Sequence, residues 1–266
     1  MAACSAASGQ AASAALLPVF EVHRHACVLD VLGSGAEVLG EDPASEPTFK
    51  GAFEKVVAAA LLHLQQQDAA QQADLIRGLF ELANQLLVFN CGVVLRSPAL
   101  GQLVSTAIAA LRLKELDSVR AAAFFLVHLL DPGEKLASSP AWQACRGNIG
   151  ACFQPNLQAA VASILFAAVA TCPLQLVKLV GYCLACLQLA DPQTTGLVEH
   201  TLGAREFRDV ALGGGGGLRE DDLALFGRLL LRQPIRPRPQ YEALFYDFSR
   251  AARGEATRDV LLTYDL

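Results

Sequence analysis

The chain has 266 residues, 53% of them hydrophobic and 18% charged, enough apolar material for one large core or a stack of small units. Its 21 basic and 26 acidic residues give a net charge of −5 with no long run of either sign, so the basic face that a direct nucleic-acid partner needs is missing. Ala and Leu dominate the apolar set, while β-branched clusters and strand-type alternation are scarce, which predicts an all-α fold.

In chain order, MAACSAASGQAASAALLP is rich in Ala and Ser and carries no Arg or Lys before Arg24. Neither a secretory signal nor a typical transit peptide is expected there. Residues 1–48 read as a variable segment with one helix over 16–39, closed by the loop LGEDPASEPTF, whose prolines and acids break helical structure. Residues 49–264 read as a helical-repeat domain. Its first helix is predicted over 49–67 and the next over 71–89, where Leu75, Leu79, Leu82 and Leu86 keep the spacing of a core stripe. NCGVVLRSPALG turns the chain, and Pro98 suits the first turn of a helix reaching residue 111.

After a polar elbow at Lys114 and Glu115, Asp117 is placed to cap the helix SVRAAAFFLVHLL. Asp131-Pro132-Gly133 ends it. Two helices of about 13 residues with a tight antiparallel join have the shape of one HEAT-type unit. The fold expected is a right-handed α-solenoid of HEAT- or armadillo-like antiparallel helix pairs. GEKLASSPAWQACRGNIGACF reads as a polar stretch with a short helix around Trp142. Helices over 155–170 and 173–189 follow, closed by Asp191-Pro192 much as Asp131-Pro132 closed the earlier pair. That offset exceeds one repeat of about 40–47 residues, so an insertion separates the pairs. The window 157–190 is the most apolar, but Gln158, Pro173 and Lys178 interrupt it. Two core helices meeting at Pro173 are expected, not a membrane span.

Shorter helices are predicted over 195–202, 205–212 and 218–231. The glycine run 213–217 lacks the following Gly-Lys-Ser/Thr of a phosphate loop and reads as a flexible surface loop. QPIRPRPQ, residues 233–240, reads as a stiff extended spacer. YEALFYDFSRAARG and EATRDVLLTYDL then form a closing helix pair, with Tyr241, Phe245 and Phe248 packed inward.

Few residues suggest chemistry. His23, His25 and Cys27 form H-x-H-x-C, but residues two apart on a helix face different ways and cannot share a zinc ion. Cys183 and Cys186 share a helix face, yet the C-x-x-C lies among Leu, Val and Ala without a second ligand pair or a preceding strand. With Cys4, Cys91, Cys145, Cys152 and Cys172, the cysteines read as reduced thiols of an intracellular protein. His128 reads as an interior or groove-edge histidine, and His63 and His200 lack a readable catalytic arrangement. No nucleophile-elbow, zinc-protease or dinucleotide motif occurs. Catalytic, cofactor and metal sites are therefore not expected. Charged residues at helix joins are the better candidates: Lys114, Glu115, Asp117 and Arg120 at one elbow, with Arg77, Glu81 and Arg96 lining a polar stripe for a partner.

The run DLIRGLFELANQLLVFNCGVVLRSPALGQLVSTAIAALRLKELDSVRAAAFFLVHLL resembles the carboxy-terminal HEAT repeats of karyopherin-beta nuclear transport receptors, in particular the transportin-3 and importin-13 group. The resemblance rests on Leu79-Phe80-Glu81-Leu82, the elbow at Lys114, Glu115 and Asp117, and the helix pattern from Arg120 to Leu130. Phe245, Asp247 and Phe248-Ser249-Arg250 are similar to that group's closing helix. The resemblance implies the carboxy-terminal part of a receptor that moves between nucleus and cytoplasm. Its partners would be protein cargo, such as Arg/Ser-rich splicing factors, and nucleoporins. Ran GTPase would be bound only through amino-terminal repeats that have no counterpart here. A HEAT- or armadillo-like scaffold in another intracellular assembly is the alternative.

Overall fold

The computed structural model describes residues 15–215 and 217–264. Residues 1–14, with Cys4, lie outside them. Among the described residues all regular structure is helical. The helices form two compact units that alternate along the chain. Unit 1 takes residues up to Ala107 and then Asp131–Pro155, whereas unit 2 takes Ile108–Leu130 and everything from Asn156.

Unit 1 opens with α1 over residues 15–23 and α2, Ala26–Leu39. The single helix expected over 16–39 is thus two. Arg24 adopts a left-handed backbone, φ 55°, uncommon outside glycine, and both its backbone N–H and its guanidinium donate to the Phe20 carbonyl, at 2.9 and 2.6 Å. The loop after α2 is a tight turn. Asp42 accepts from the Ala44 N–H at 3.0 Å, and the Ser45 hydroxyl donates to Leu39 and Asp42 carbonyls at 2.6 and 2.7 Å. The helix α3, Glu46–Gln66, follows at once.

The next helix, α4, Ala73–Phe89, carries the predicted stripe, with Leu75, Leu79, Leu82 and Leu86 all at most 3% exposed. Each such burial contributes roughly 1.5–3 kcal/mol. It covers α2 in parallel register: Gly78 lies against Ala26 and Leu29, Gly33 against Leu82, and Gly40 against Phe89. The expected turn after α4 holds a short buried helix, α5, Cys91–Leu95. Pro98 sits in the turn before α6, Leu100–Ala110, where the Ser97 hydroxyl accepts from the Ala99 N–H at 3.2 Å.

The stretch read as mostly polar forms α8, Gly133–Ala137, and α9, Pro140–Phe153, once α7, Leu116–Leu130, has crossed to unit 2. Ser139 caps α9 by accepting from the Trp142 N–H at 3.1 Å, with Pro140 at the first helical position. Trp142, Cys145, Ile149 and Phe153 recur at helical spacing and are buried. This helix runs parallel to the α5–α6 segment: Cys91 meets Ser139 at 3.2 Å, the Asn148 amide donates to Leu95 at 3.4 Å, and Gly101 faces Cys152. Later helices lying parallel on earlier ones are consistent with a helical-repeat architecture.

Unit 2 sets α7 against α11, Val177–Ala190, where the Cys183 thiol donates to the Ala123 carbonyl at 3.6 Å. Before α11 come α10, Leu157–Phe166, and a π-helical turn, Ala167–Thr171, which ends at Pro173 as expected. From Pro140 to Thr171 the helical run spans 32 residues. By length and composition it could cross a membrane, but 56% of its apolar window is buried, as in a core helix. Four helices follow: α12, Gln193–Gly203; α13, Arg205–Gly213; α14, Glu220–Leu230; and α15, Arg238–Ala252. The last lies antiparallel on α11, with Gly181 against Phe245 and the Tyr241 hydroxyl donating to Gln188 at 2.9 Å. Tyr241, Phe245 and Phe248 are fully buried, and Phe248 stacks on Phe226 at 3.7 Å.

Three late expectations change. The extended spacer is shorter, because Arg238, Pro239 and Gln240 already form the first turn of α15. The second half of the tail is a 3-10 turn, Arg258–Thr263, whose one buried residue is Leu261; a single buried side chain cannot anchor a further α-helix. The glycine run is packed where Gly214 approaches α15, since a Cβ there would stand 2.1 Å from the Ala252 carbonyl. Gly215, with φ 83°, needs the left-handed backbone that glycine takes freely.

Candidate functional site

Local sequence decides what each predicted surface residue does. In unit 1, Arg77 pairs with Glu81 one turn on, at 2.5 Å, and with Asp30 of α2 at 3.3 Å. Arg96 pairs with Glu46 at 3.3 Å. In unit 2, Arg120 pairs with Asp117 at 2.5 Å. Glu115, not Asp117, caps α7, its carboxylate accepting from the N–H groups of Asp117 and Ser118 at 2.9 and 2.6 Å. Glu115 immediately precedes the first helical residue, Leu116, and so reaches the open N–H groups of the first turn, inside which Asp117 already lies. Lys114 is exposed beside it. These seven residues form separate small clusters, and half-exposed pairs of this kind contribute about 0–1 kcal/mol each.

The groups considered for chemistry sit in similarly ordinary surroundings. His23 and His25 stack with ring centroids 5.5 Å apart across the Arg24 break, and Cys27 is exposed nearby. Among the described residues no three His, Cys, Asp or Glu side chains are grouped to hold a metal ion. Cys183 and Cys186 are buried and in no disulfide, and burial pushes the Cys183 thiol well up. Burial also pushes Cys172 up, to about 12. His128 stacks loosely on Phe124 at 6.2 Å, and its burial holds the imidazole below its ordinary range.

A concave site in unit 2 was not anticipated from the sequence. The helices α12, α13 and α14 enclose a groove of about 520 Å³. Leu202, Leu223 and Leu231 with Ala224 and Gly227 make its apolar part, and Glu199, Arg208, Glu220 and Arg228 supply its charged side chains. Close approach of α12 and α14 needs Gly227, whose absent Cβ would lie 3.1 Å from Leu202. Arg208 and Glu220 form an ion pair from α13 to α14. The start of α14 is fixed by buried Asp222, which accepts from the Arg219 N–H at 2.8 Å and faces Arg258 at 3.6 Å.

The sequence did hold a signal for this groove. In EDDLALFGRLL one face, Leu223, Phe226 and Leu230, builds the core. A second face, Glu220, Ala224, Gly227 and Leu231, has the same helical spacing but small residues at its centre. A small-residue face beside an apolar one marks either close packing or a recess, and here it does both. No protein-family model matches the chain, and no curated protein shows significant similarity to it.

Proposed function

We propose that the chain is a HEAT- or armadillo-type scaffold that binds protein partners within a larger assembly and has no catalytic activity of its own. The supporting observation is the parallel stacking of helices separated along the chain, α2 beside α4 and the α5–α6 segment beside α9. In repeat proteins each unit covers the apolar side of its neighbour, and the helix faces left over make extended binding surfaces. Cross-linking the intact protein in its own cells, then reconstituting the cross-linked pair from purified components, tests this. Saturable binding with amide protection along helix faces is expected. Substrate turnover by the purified chain, or failure of every cross-linked candidate to bind it, would overturn the reading.

A narrower reading is the carboxy-terminal part of a karyopherin-beta nuclear transport receptor. It is favoured by the resembling segments, whose Leu79, Phe80, Leu82, Phe245 and Phe248 are core residues while Lys114 and Arg120 stay at the surface. Cargo would be Arg/Ser-rich proteins, with nucleoporins as further partners, Ran acting through repeats outside this chain, and residence in both nucleus and cytoplasm. Titration of the intact protein with an Arg/Ser-rich peptide and with GTP-loaded Ran separates the two readings. Peptide bound and then released by Ran supports transport. Indifference to both leaves the general scaffold.

A further inference from the structure

The groove between α12, α13 and α14 has a charge pattern that its apolar floor alone would not reveal. Arg208 and Glu220 neutralise one another. Glu199 on α12 and Arg228 on α14 are exposed, and among the described residues neither enters an ion pair. An apolar slot is thus flanked by a carboxylate on one helix and a guanidinium on another. Its volume, about 520 Å³, falls among preformed pockets of roughly 300–1,000 Å³. All its polar side chains are charged, and Glu199 and Arg228 are exposed beside the apolar floor, whereas a small-molecule site sets its few orienting polar groups within a pocket that buries most of the ligand. Apolar anchors flanked by charges are instead how an amphipathic helix is read.

We propose that this groove docks an amphipathic helix of a partner protein. Its leucine-sized side chains fill the slot over Leu202, Leu223 and Leu231, a basic residue pairs with Glu199, and an acidic residue pairs with Arg228. The inference rests on the scaffold reading above and gives it a site and a partner chemistry. Complementary charges at the rim set orientation and exclude wrong partners more than they add affinity, so charge order is the property to test.

The probe is a synthetic set of fluorescein-labelled helices of about four turns. Each carries leucines at i and i+4 between a lysine and a glutamate, in either order. The full-length chain should bind one charge order saturably. Glu199→Lys or Arg228→Glu should weaken that binding about ten-fold, and the double variant should prefer the reversed peptide. Ala224 is exposed, so Ala224→Trp fills the slot without entering the core and should abolish binding at an unchanged melting temperature. The proposal is overturned if no peptide binds saturably, or if Ala224→Trp binds as tightly as the parent. A dimer of the parent chain that Ala224→Trp dissolves also overturns it and gives the groove to a second copy. A partner protein that binds Ala224→Trp and the parent equally refutes the groove and leaves the scaffold reading standing.

Discussion

Gly181 shows how closely unit 2 is fitted at a single residue. A Cβ there would stand 2.6 Å from the Phe245 ring, and Phe245 is fully buried, so the ring has no free space to enter. Gly181→Ala is expected to lower stability by about 1–3 kcal/mol through overpacking, despite the better helix propensity of alanine, read as a lower urea midpoint. Arg253 serves the end of the π-helical turn, where the Ala167 carbonyl already accepts from the Cys172 N–H at 2.9 Å. Its guanidinium donates to Ala168 at 2.7 and 2.9 Å and to Ala167 at 2.9 Å, beside the Ser249 hydroxyl at 2.5 Å. Arg253→Leu removes those donors and should cost about 1–3 kcal/mol, with lysine recovering only part because it cannot span both carbonyls. His128 supplies a pH dependence. Burial lowers its folded pKa below the ordinary 6.5, so the unfolded chain takes up the proton first as pH falls. Its contribution is complete above pH 6.5 and is lost as pH falls through the lower, folded value. His128→Gln should flatten that part of the stability profile, and an unchanged acid slope would refute the assignment.

Among the elements, α7 separates capping from pairing. Glu115→Ala leaves the N–H groups of Asp117 and Ser118 without their carboxylate, and should cost about 1 kcal/mol. Asp117→Asn only weakens a half-exposed pair with Arg120, an effect of about 0–1 kcal/mol. Equal losses from the two changes, measured by thermal melting, would contradict the assignment of the cap. The elbow itself was legible in the sequence because a polar stretch before an apolar run announces a helix start. Which acid does the capping was not, since that choice depends on where the first helical turn closes. Likewise Leu75, Leu79, Leu82 and Leu86 declared α4 by period alone, whereas Arg24 hid a break inside an apparently continuous pattern. The left-handed turn there is held by local hydrogen bonds to Phe20, with no glycine or proline at the break to signal it. The groove escaped notice for a related reason: Ala224, Gly227 and Leu231 look like ordinary helix residues until α12 and α13 are placed around them.

For the whole molecule, chain order and unit order differ, and this has a consequence for stability. The helix α7 belongs to unit 2 and packs on α11, while α8 and α9, which follow it in sequence, return to unit 1, where α9 lies beside α5. No single cut can therefore free a complete unit. In a linear array of repeats, truncation removes whole neighbours and leaves the remaining core covered except at one end. Here residues 156–266 alone lack α7, so the face of α11 around Cys183 loses its cover, including the Ala123 carbonyl that the thiol meets. That fragment is expected to bind hydrophobic dye and to melt without a sharp transition, as a chain with secondary structure but incomplete packing does. Residues 108–130 joined to 156–266 by a short Gly/Ser linker in place of 131–155 restore α7 and should melt cooperatively. The linked protein should also keep Cys183 unreactive towards thiol reagents, because the thiolate has no access to water beneath α7. Equally sharp melting of the two fragments would show that α7 is dispensable to unit 2. Poor melting of both would instead place part of the missing stability in residues 131–155.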